Sequence, residues 1–254
     1  MKLFVTLILV LTTAVAAQAK CYGVNLEFWP KSGSIRPNAV FLIEGFEASQ
    51  PVVSGLRTTH QAYLQADGQR IPLDVQEILV GQFQLTQALL RPRRRLVVGT
   101  QYELIVVERA RPAESIIWRH KGSRTFQVKY TVEAGPDRAA PAWLAPPTEQ
   151  AKHYEEYGCG PAVSVEFAAA AQDESVCLVR ATVRDEATGQ RTTCYLRPAA
   201  AGRIAVGHDM CSGAFELEKG RHFTVTFGLL DASGNTTPWT GKAIAFDRPD
   251  IPGM

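Results

Sequence analysis

"LEKGRHFTVTFGLLDASGNTTPW", residues 217–239, is the stretch on which the fold turns. Phe223, Val225, Phe227 and Leu229 recur at every second position, the period that half-buries a β-strand. The run ends at Asp231-Ala232-Ser233-Gly234-Asn235, where an Asx side chain, a glycine and an asparagine supply tight-turn chemistry. Taken alone, such a segment could be a metal loop, a sugar site or a turn. Its recurrence decides. "LVVGTQYELIVVE", residues 96–108, carries the same pattern: at an offset of 121 residues, Leu96, Gly99, Tyr102, Leu104 and Val106 fall on Leu217, Gly220, Phe223, Val225 and Phe227. At that offset Gly68-Gln69-Arg70 falls on Gly189-Gln190-Arg191, and Trp118 on Trp239. With small gaps Ala39-Val40 meets Ala162-Val163, and Phe126 meets Phe246. The chain therefore reads as two tandem copies of one fold. DASGN becomes a turn between late strands, with Gly234 and Asn235 tolerating positive φ, and Trp239 a packing residue. Asn235-Thr236-Thr237 also fits the N-glycosylation acceptor pattern, which matters in a glycosylating host.

The rest of the chain agrees with an all-β fold. Alternating runs rich in Val, Phe and Tyr are frequent, long helical periodicity is missing, and 15 Pro and 20 Gly supply turns. A hydrophobic content of 46% and a charged content of 20% belong to a globular chain. The opening MKLFVTLILVLTTAVAAQAK has a Lys2 n-region, a short apolar core from Leu3 to Leu11 and a small-x-small Ala17-Gln18-Ala19 site, the anatomy of a cleaved signal peptide. Its apolar run is shorter than the roughly 20 residues a membrane helix needs, so stable membrane insertion is not expected. The expected division is a signal peptide over 1–19, a first sandwich over 20–134, a Pro-rich linker over 135–147 and a second sandwich over 148–250. Strands of the second copy are expected near 161–168, 177–185, 191–197, 203–207, 221–230 and 242–247, with a first strand around Trp143.

"WPKSGSIRPNAVFLIEGF" and the later "LVVGTQYELIVVE" together resemble the opening and late strands of bacterial immunoglobulin-like domains of secreted proteins. A Pro-containing lead-in precedes the first core strand, and a Leu-x-x-Gly-x-x-Tyr corner precedes a late one. LEKGRHFTVTFGLLDASGNTTPW is similar to the same region, although ERARPAES stands in the first copy where DASGN stands in the second. The resemblance implies two tandem Ig-like antiparallel β-sandwiches. It covers both copies and speaks to fold far more than to function.

Cys159, Cys177, Cys194 and Cys211 all lie in the second copy, while the mature first copy holds Cys21. Four cysteines in an exported domain read as two disulfides with three possible connectivities. Close metal-binding pairs such as C-x-x-C are missing. The sandwich plan favours Cys159–Cys211 at one end and Cys177–Cys194 towards the other, with Cys21 left over. A short hairpin loop at Glu186–Gly189 would set Cys194 opposite Ala181, about 13 Å along the strand from Cys177, so the second bridge needs a shifted register.

Charge divides unevenly. Residues 20–134 carry 15 basic and 10 acidic side chains, net +5, and residues 135–254 carry 11 and 15, net −4. Arg91, Arg93, Arg94 and Arg95 form a basic run that is either a solvated loop or a contact for a polyanion or partner. The split is too modest for a nucleic-acid binder, and an exported location argues against one. His153, His208 and Asp209 lie near the cysteines and offer a possible copper or zinc site, as in periplasmic metal-handling sandwiches. Nucleophile elbows, zinc-protease helices and phosphate loops are not found. The carboxylate pairs Glu155-Glu156 and Asp173-Glu174 sit in polar segments that would not separate their pKa values. The sequence thus predicts a non-catalytic structural or recognition protein without a cofactor, periplasmic or extracellular, meeting a protein or polysaccharide partner. A carbohydrate module would also require an exposed row drawn from Trp29, Trp118, Trp143 and Trp239.

Overall fold

The computed structural model describes residues 24–117, 127–199 and 202–253. The expected signal peptide, Cys21, Trp118 and Phe126 lie outside the described residues. The described chain is all-β apart from one short helix and a 3-10 turn. Among the described residues no helix is long and apolar enough to cross a membrane.

The first sandwich contains β1 (Val24–Trp29), β2 (Gly33–Ile35), β3 (Phe41–Glu47), α1 (Gln50–Ser54), β4 (His60–Ala66), β5 (Gln69–Val80), β6 (Leu85–Pro92), β7 (Gln101–Glu108), β8 (Arg111–Ser115) and β9 (Val128–Val132). One layer runs β1-β3-β6-β5 and the other β5-β4-β7-β9-β2. Strand β5 serves both: Gln69–Pro72 pair with β4 and the residues from Leu73 on pair with β6, with a register shift between Val75 and Glu77 inside the second pairing. β2 lies parallel to β9, and the remaining pairs are antiparallel. This is the strand plan of an immunoglobulin-like sandwich. Phe41, Ile43, Leu64, Leu90, Leu104 and Tyr130 fill the space between the layers.

The second sandwich contains β10 (Ala142–Trp143), β11 (Thr148–Tyr157), β12 (Gly160–Ala168), β13 (Ala171–Gln172), β14 (Cys177–Asp185), β15 (Arg191–Leu196), β16 (Arg203–His208), β17 (His222–Asp231), β18 (Thr236–Pro238) and β19 (Ile244–Asp247). Its layers are β11-β12-β16 and β15-β14-β17, with β18 and β19 both along β17, and β10 pairs with β13. Val165, Phe167, Val225 and Phe227 belong to the core between them, with the Phe167 ring edge-on to both Phe227 and Phe246.

The two copies agree in detail. Gly68 and Gly189 occupy the turns after β4 and β14 with φ of +74° and +75°, a conformation that costs a side chain but not glycine. Tyr102 begins β7 and its hydroxyl accepts the Val97 N–H at 3.3 Å, the tyrosine corner of such sandwiches. Phe223 takes that place in the second copy without a hydroxyl. It stacks on Phe246 at 5.5 Å and closes over Gly220, where a Cβ would come within 2.6 Å of the ring. In the DASGN turn only Gly234 takes positive φ, +86°, while Asn235 does not.

One strand departs from expectation. The segment 148–157, TEQAKHYEEY, forms β11, the edge partner of β12, whereas the pair at Trp143 is two residues long. β11 lacks apolar alternation because it is an edge strand with mostly exposed residues on both faces, and its Lys and Glu side chains discourage pairing with another chain.

Phe167→Ala should lower unfolding free energy by about 3–5 kcal/mol, whereas Tyr102→Phe, which copies the second corner into the first, should cost about 0.5–1.5 kcal/mol. Urea unfolding of the two variants beside the wild type checks the contrast.

Candidate functional site

The polar groups of the interior converge where the sandwiches meet. The tip of the β5–β6 hairpin reaches into the second sandwich: Phe83 and Gly213 exchange backbone hydrogen bonds of 3.3 and 2.6 Å, and the Gln82 N–H donates to Ala214 O at 3.0 Å. The approach needs a bare backbone, since a Cβ on Gly81 would meet Gly213 O at 2.9 Å. Leu85 joins the core of the second sandwich, and the Phe83 ring lies 4.5 Å from the His208 ring.

Behind the tip, Gln87 is fully buried. Its Nε2 donates to Tyr195 O and to Glu44 Oε1, both at 2.7 Å, and its Oε1 accepts the Tyr195 N–H at 2.8 Å. The side-chain amide thus bonds the Tyr195 backbone of β15 as a neighbouring strand would. The Tyr195 hydroxyl donates to Glu77 Oε1 at 2.5 Å, and Arg180 pairs with Glu77 at 3.3 Å. Arg197 pairs with Glu44. Burial pushes the Glu44 carboxyl up against the opposing pull of Arg197 and Gln87. Trp29, Val40 and Leu42 from the first sandwich pack with Leu178, Leu230 and Ala232 from the second.

A cleft of about 540 Å³ opens beside this joint, lined by Trp29, Arg36, Asp137, Cys177, Arg197 and Ser233 among others. Asn38 ties its parts together: Nδ2 donates to Asp137 O at 2.7 Å and Ser233 O at 3.2 Å, and Oδ1 accepts the Asp137 N–H at 3.2 Å. The Val40 N–H donates to Ala232 O at 2.9 Å. Carboxylate oxygens of Asp137, Asp173 and Asp231 lie within 4.8 Å of one another. Among the described residues, these are the side chains placed to hold a metal, and their oxygens would suit a hard cation. Each also organises its own turn. Asp231, fully buried, accepts the Ser233 N–H at 2.9 Å, the Asn235 N–H at 2.7 Å and Asn235 Nδ2 at 2.7 Å. Burial raises its pKa while those donors oppose the rise.

The expected copper or zinc ligands do not come together. His208 pairs with Val163 and His153 with Ser164 across β12, so alternation sends His208 into the sandwich and His153 out to solvent. Both His208 nitrogens are engaged, Nδ1 with Asp209 O at 2.7 Å and Nε2 with Glu218 at 2.6 Å. Asp209 Oδ1 accepts the N–H groups of Cys211 and Ser212.

Neither expected disulfide is formed. Cys177 and Cys194 are thiols; Cys194 stands opposite Ala181, about 13 Å along β14 from Cys177, beyond bridging distance. Burial, aided by nearby carboxylates, pushes each thiol up to about 12. Cys159 also keeps its thiol. Its expected partner Cys211 is itself disulfide-bonded and so is not available to it.

The basic run does not gather into one site. Arg93 pairs with Asp74 at 2.7 Å and Arg94 donates to Gln69 Oε1 at 3.3 Å. Arg91 lies along Gly234 of the DASGN turn. Arg95 is exposed. Of the tryptophans, Trp29 is buried, and Trp143 and Trp239 pack edge-on at 6.1 Å against the second core. An aromatic row is therefore not exposed among the described residues.

Sequence reading missed Gln87, Glu44, Asn38 and the aspartate trio. Glu44 inside AVFLIEGF and Gln87 inside LTQALL were visible as polar intrusions into apolar strands. Their partners, more than 100 residues away for Tyr195, were not.

No protein-family model and no curated protein matches the chain. Similar solved structures include a pullulanase from Anoxybacillus sp. LM18-11, with 9% identity and a TM-score of 0.25 over 80% of this chain and 24% of that one. The chain thus spans about a quarter of the pullulanase's length. They also include the N-terminal Ig1-2 module of the Drosophila receptor protein tyrosine phosphatase DLAR, with 11% identity and a TM-score of 0.23 over 87% and 96% of the two chains, and a cytokine receptor complex with 8% identity and a TM-score of 0.25 over 87% and 95%. The immunoglobulin-like assignment rests on this chain's own strand order.

Gln87→Ala leaves the Tyr195 backbone pair buried without its partner and should cost about 2–4 kcal/mol in chemical denaturation. The His208–Glu218 pair predicts a pH effect. Burial pulls His208 down, but the bonds to Glu218 and Asp209 O outweigh it and raise the net value; burial likewise raises Glu218, and His208 outweighs it in the other direction. Stability from His208 is complete below the unfolded value of 6.5 and fades as pH rises through the higher folded value. That from Glu218 is complete above the unfolded 4.5 and fades as pH falls through its lower folded value. Glu218→Gln should therefore destabilise by about 1 kcal/mol between about pH 5 and 6.5, and by progressively less as pH rises through the folded value of His208, read from melts across that range.

Proposed function

We propose that this is an exported, non-catalytic structural or recognition protein. Its two immunoglobulin-like sandwiches present loops to a protein or polysaccharide partner in the envelope or the medium. The observation that supports this reading is the buried Gln87–Tyr195 joint with its flanking pairs. A flexible tandem would spend binding free energy on ordering its domains; a joint fixed by buried hydrogen bonds has already ordered them. The loops at the sandwich ends are then held by a scaffold with one geometry, the usual arrangement for recognition surfaces. A copper- or zinc-binding role has less support, since His208 has no free ring nitrogen and His153 faces the opposite side of the sheet.

The test is affinity capture from the native envelope and medium with the immobilised mature chain, beside the Gln87→Ala variant. Saturable retention of a partner by the wild type, weakened in the loosened variant, is the expected result. Absence of any saturable partner, or saturable micromolar zinc or copper binding in calorimetry, would overturn the reading.

A further inference from the structure

The outer face of the first sandwich holds a second cleft, about 450 Å³ in volume, between the 3-10 turn at Gly55–Arg57, β4, the bend of β5 and the chain ends after β6 and β7. Four exposed arginines line it, Arg57, Arg70, Arg93 and Arg109, against one carboxylate, Asp74. They come from four separate segments, so the sequence shows no cluster; of the basic run at 91–95, only Arg93 lines the cleft.

Arg93 is committed to Asp74, through Nε and Nη2. The other three are held by neutral oxygens. Arg57 donates to Val75 O and Gln76 O at 3.4 and 3.2 Å, Arg70 to Gln65 Oε1 at 3.1 Å, and Arg109 to Gln61 Oε1 at 3.3 Å. Arg70 also lies over the Tyr63 ring with its guanidinium carbon 4.6 Å from the centroid. Such contacts orient a guanidinium without neutralising it, and its remaining donors stay available for an anion. Three guanidinium groups with no ion pair among the described residues thus converge on one concave surface of the size that small ligands occupy.

We propose that this cleft binds an acidic oligosaccharide, with carboxylate or sulfate groups on Arg57, Arg70 and Arg109. The amide oxygen of Gln61 and the carboxylate of Asp74 supply acceptors for sugar hydroxyls between the guanidinium donors. An acidic peptide fits less well. Added as a strand, it would need free backbone groups along the bend of β5, where Pro72 has no N–H and its carbonyl already accepts the Arg93 N–H at 3.0 Å. The carbonyls of Val75 and Gln76 are taken by Arg57.

Calorimetry on the full mature chain tests this with four probes: an oligogalacturonate tetramer, a sulfated heparin-type tetrasaccharide, a neutral cellotetraose and a glutamate-rich peptide. Two double variants accompany it, Arg70→Gln with Arg109→Gln in the cleft, and Arg94→Gln with Arg95→Gln outside it, with matched melting curves confirming that both fold. The expected result is saturable, salt-sensitive binding of one or both acidic sugars, with carboxylate or sulfate preference read from the first two probes. Binding should weaken at least about tenfold in the cleft variant and stay unchanged in the other. The proposal is overturned if neither acidic sugar binds saturably, if the cleft variant binds as the wild type does, or if the neutral sugar or the peptide binds more tightly. A capture experiment can still return a partner held elsewhere on the molecule, so failure here and failure of the recognition role are separable.

Discussion

The arrangement of the molecule depends on a side-chain amide that acts as backbone. Gln87 gives the Tyr195 peptide unit both a donor and an acceptor at the edge of β15. A buried edge strand must pair its polar groups or lose the free energy of desolvating them. One glutamine meets that demand, and its second amide hydrogen bond reaches Glu44, which itself depends on Arg197. The apolar contacts around Trp29, Leu42, Leu178 and Leu230 supply area, but area alone would let the sandwiches slide. The directional bonds select one orientation.

The DASGN segment takes on a double role in this setting. Its aspartate closes the turn between β17 and β18 through three internal acceptor bonds, as the repeat implied. Its outward carbonyls at Ala232 and Ser233 then receive Val40 N–H and Asn38 Nδ2 of the first sandwich. In the first copy ERARPAES, at the corresponding place, forms the β7–β8 hairpin instead.

What was legible in the sequence follows from how local the controlling interaction is. Strands such as β14 and β17, with alternating apolar residues facing one core, were readable to within a residue, and the Ala181–Cys194 register followed from the hairpin loop alone. β11 was not readable, because an edge strand exposed on both faces has no period for burial to impose. The cysteines invited pairing from compartment and number, yet the same register that was correctly anticipated keeps Cys177 and Cys194 apart. The sites themselves were the least legible. Gln87 and Tyr195 are joined across 108 positions, and the four cleft arginines are gathered only when β5 bends between layers.

The charge asymmetry acquires a direction once the joint is known. Residues 20–134 carry net +5 and residues 135–254 net −4, yet apart from Arg36–Glu174 the ion pairs between the sandwiches have inverted signs. The basic half contributes Glu27, Glu44 and Glu77, and the acidic half answers with Arg180 and Arg197. The joint therefore uses carboxylates of the positive sandwich and guanidinium groups of the negative one. These pairs take up more carboxylates than guanidinium groups from the first sandwich and the reverse from the second, so the charge left elsewhere is more polarised than the sequence totals imply. Charge fields of one sign over a concave surface concentrate ligands of the opposite sign. The joint that orders the two sandwiches thus also leaves the first one with an outer face on which positive charge predominates.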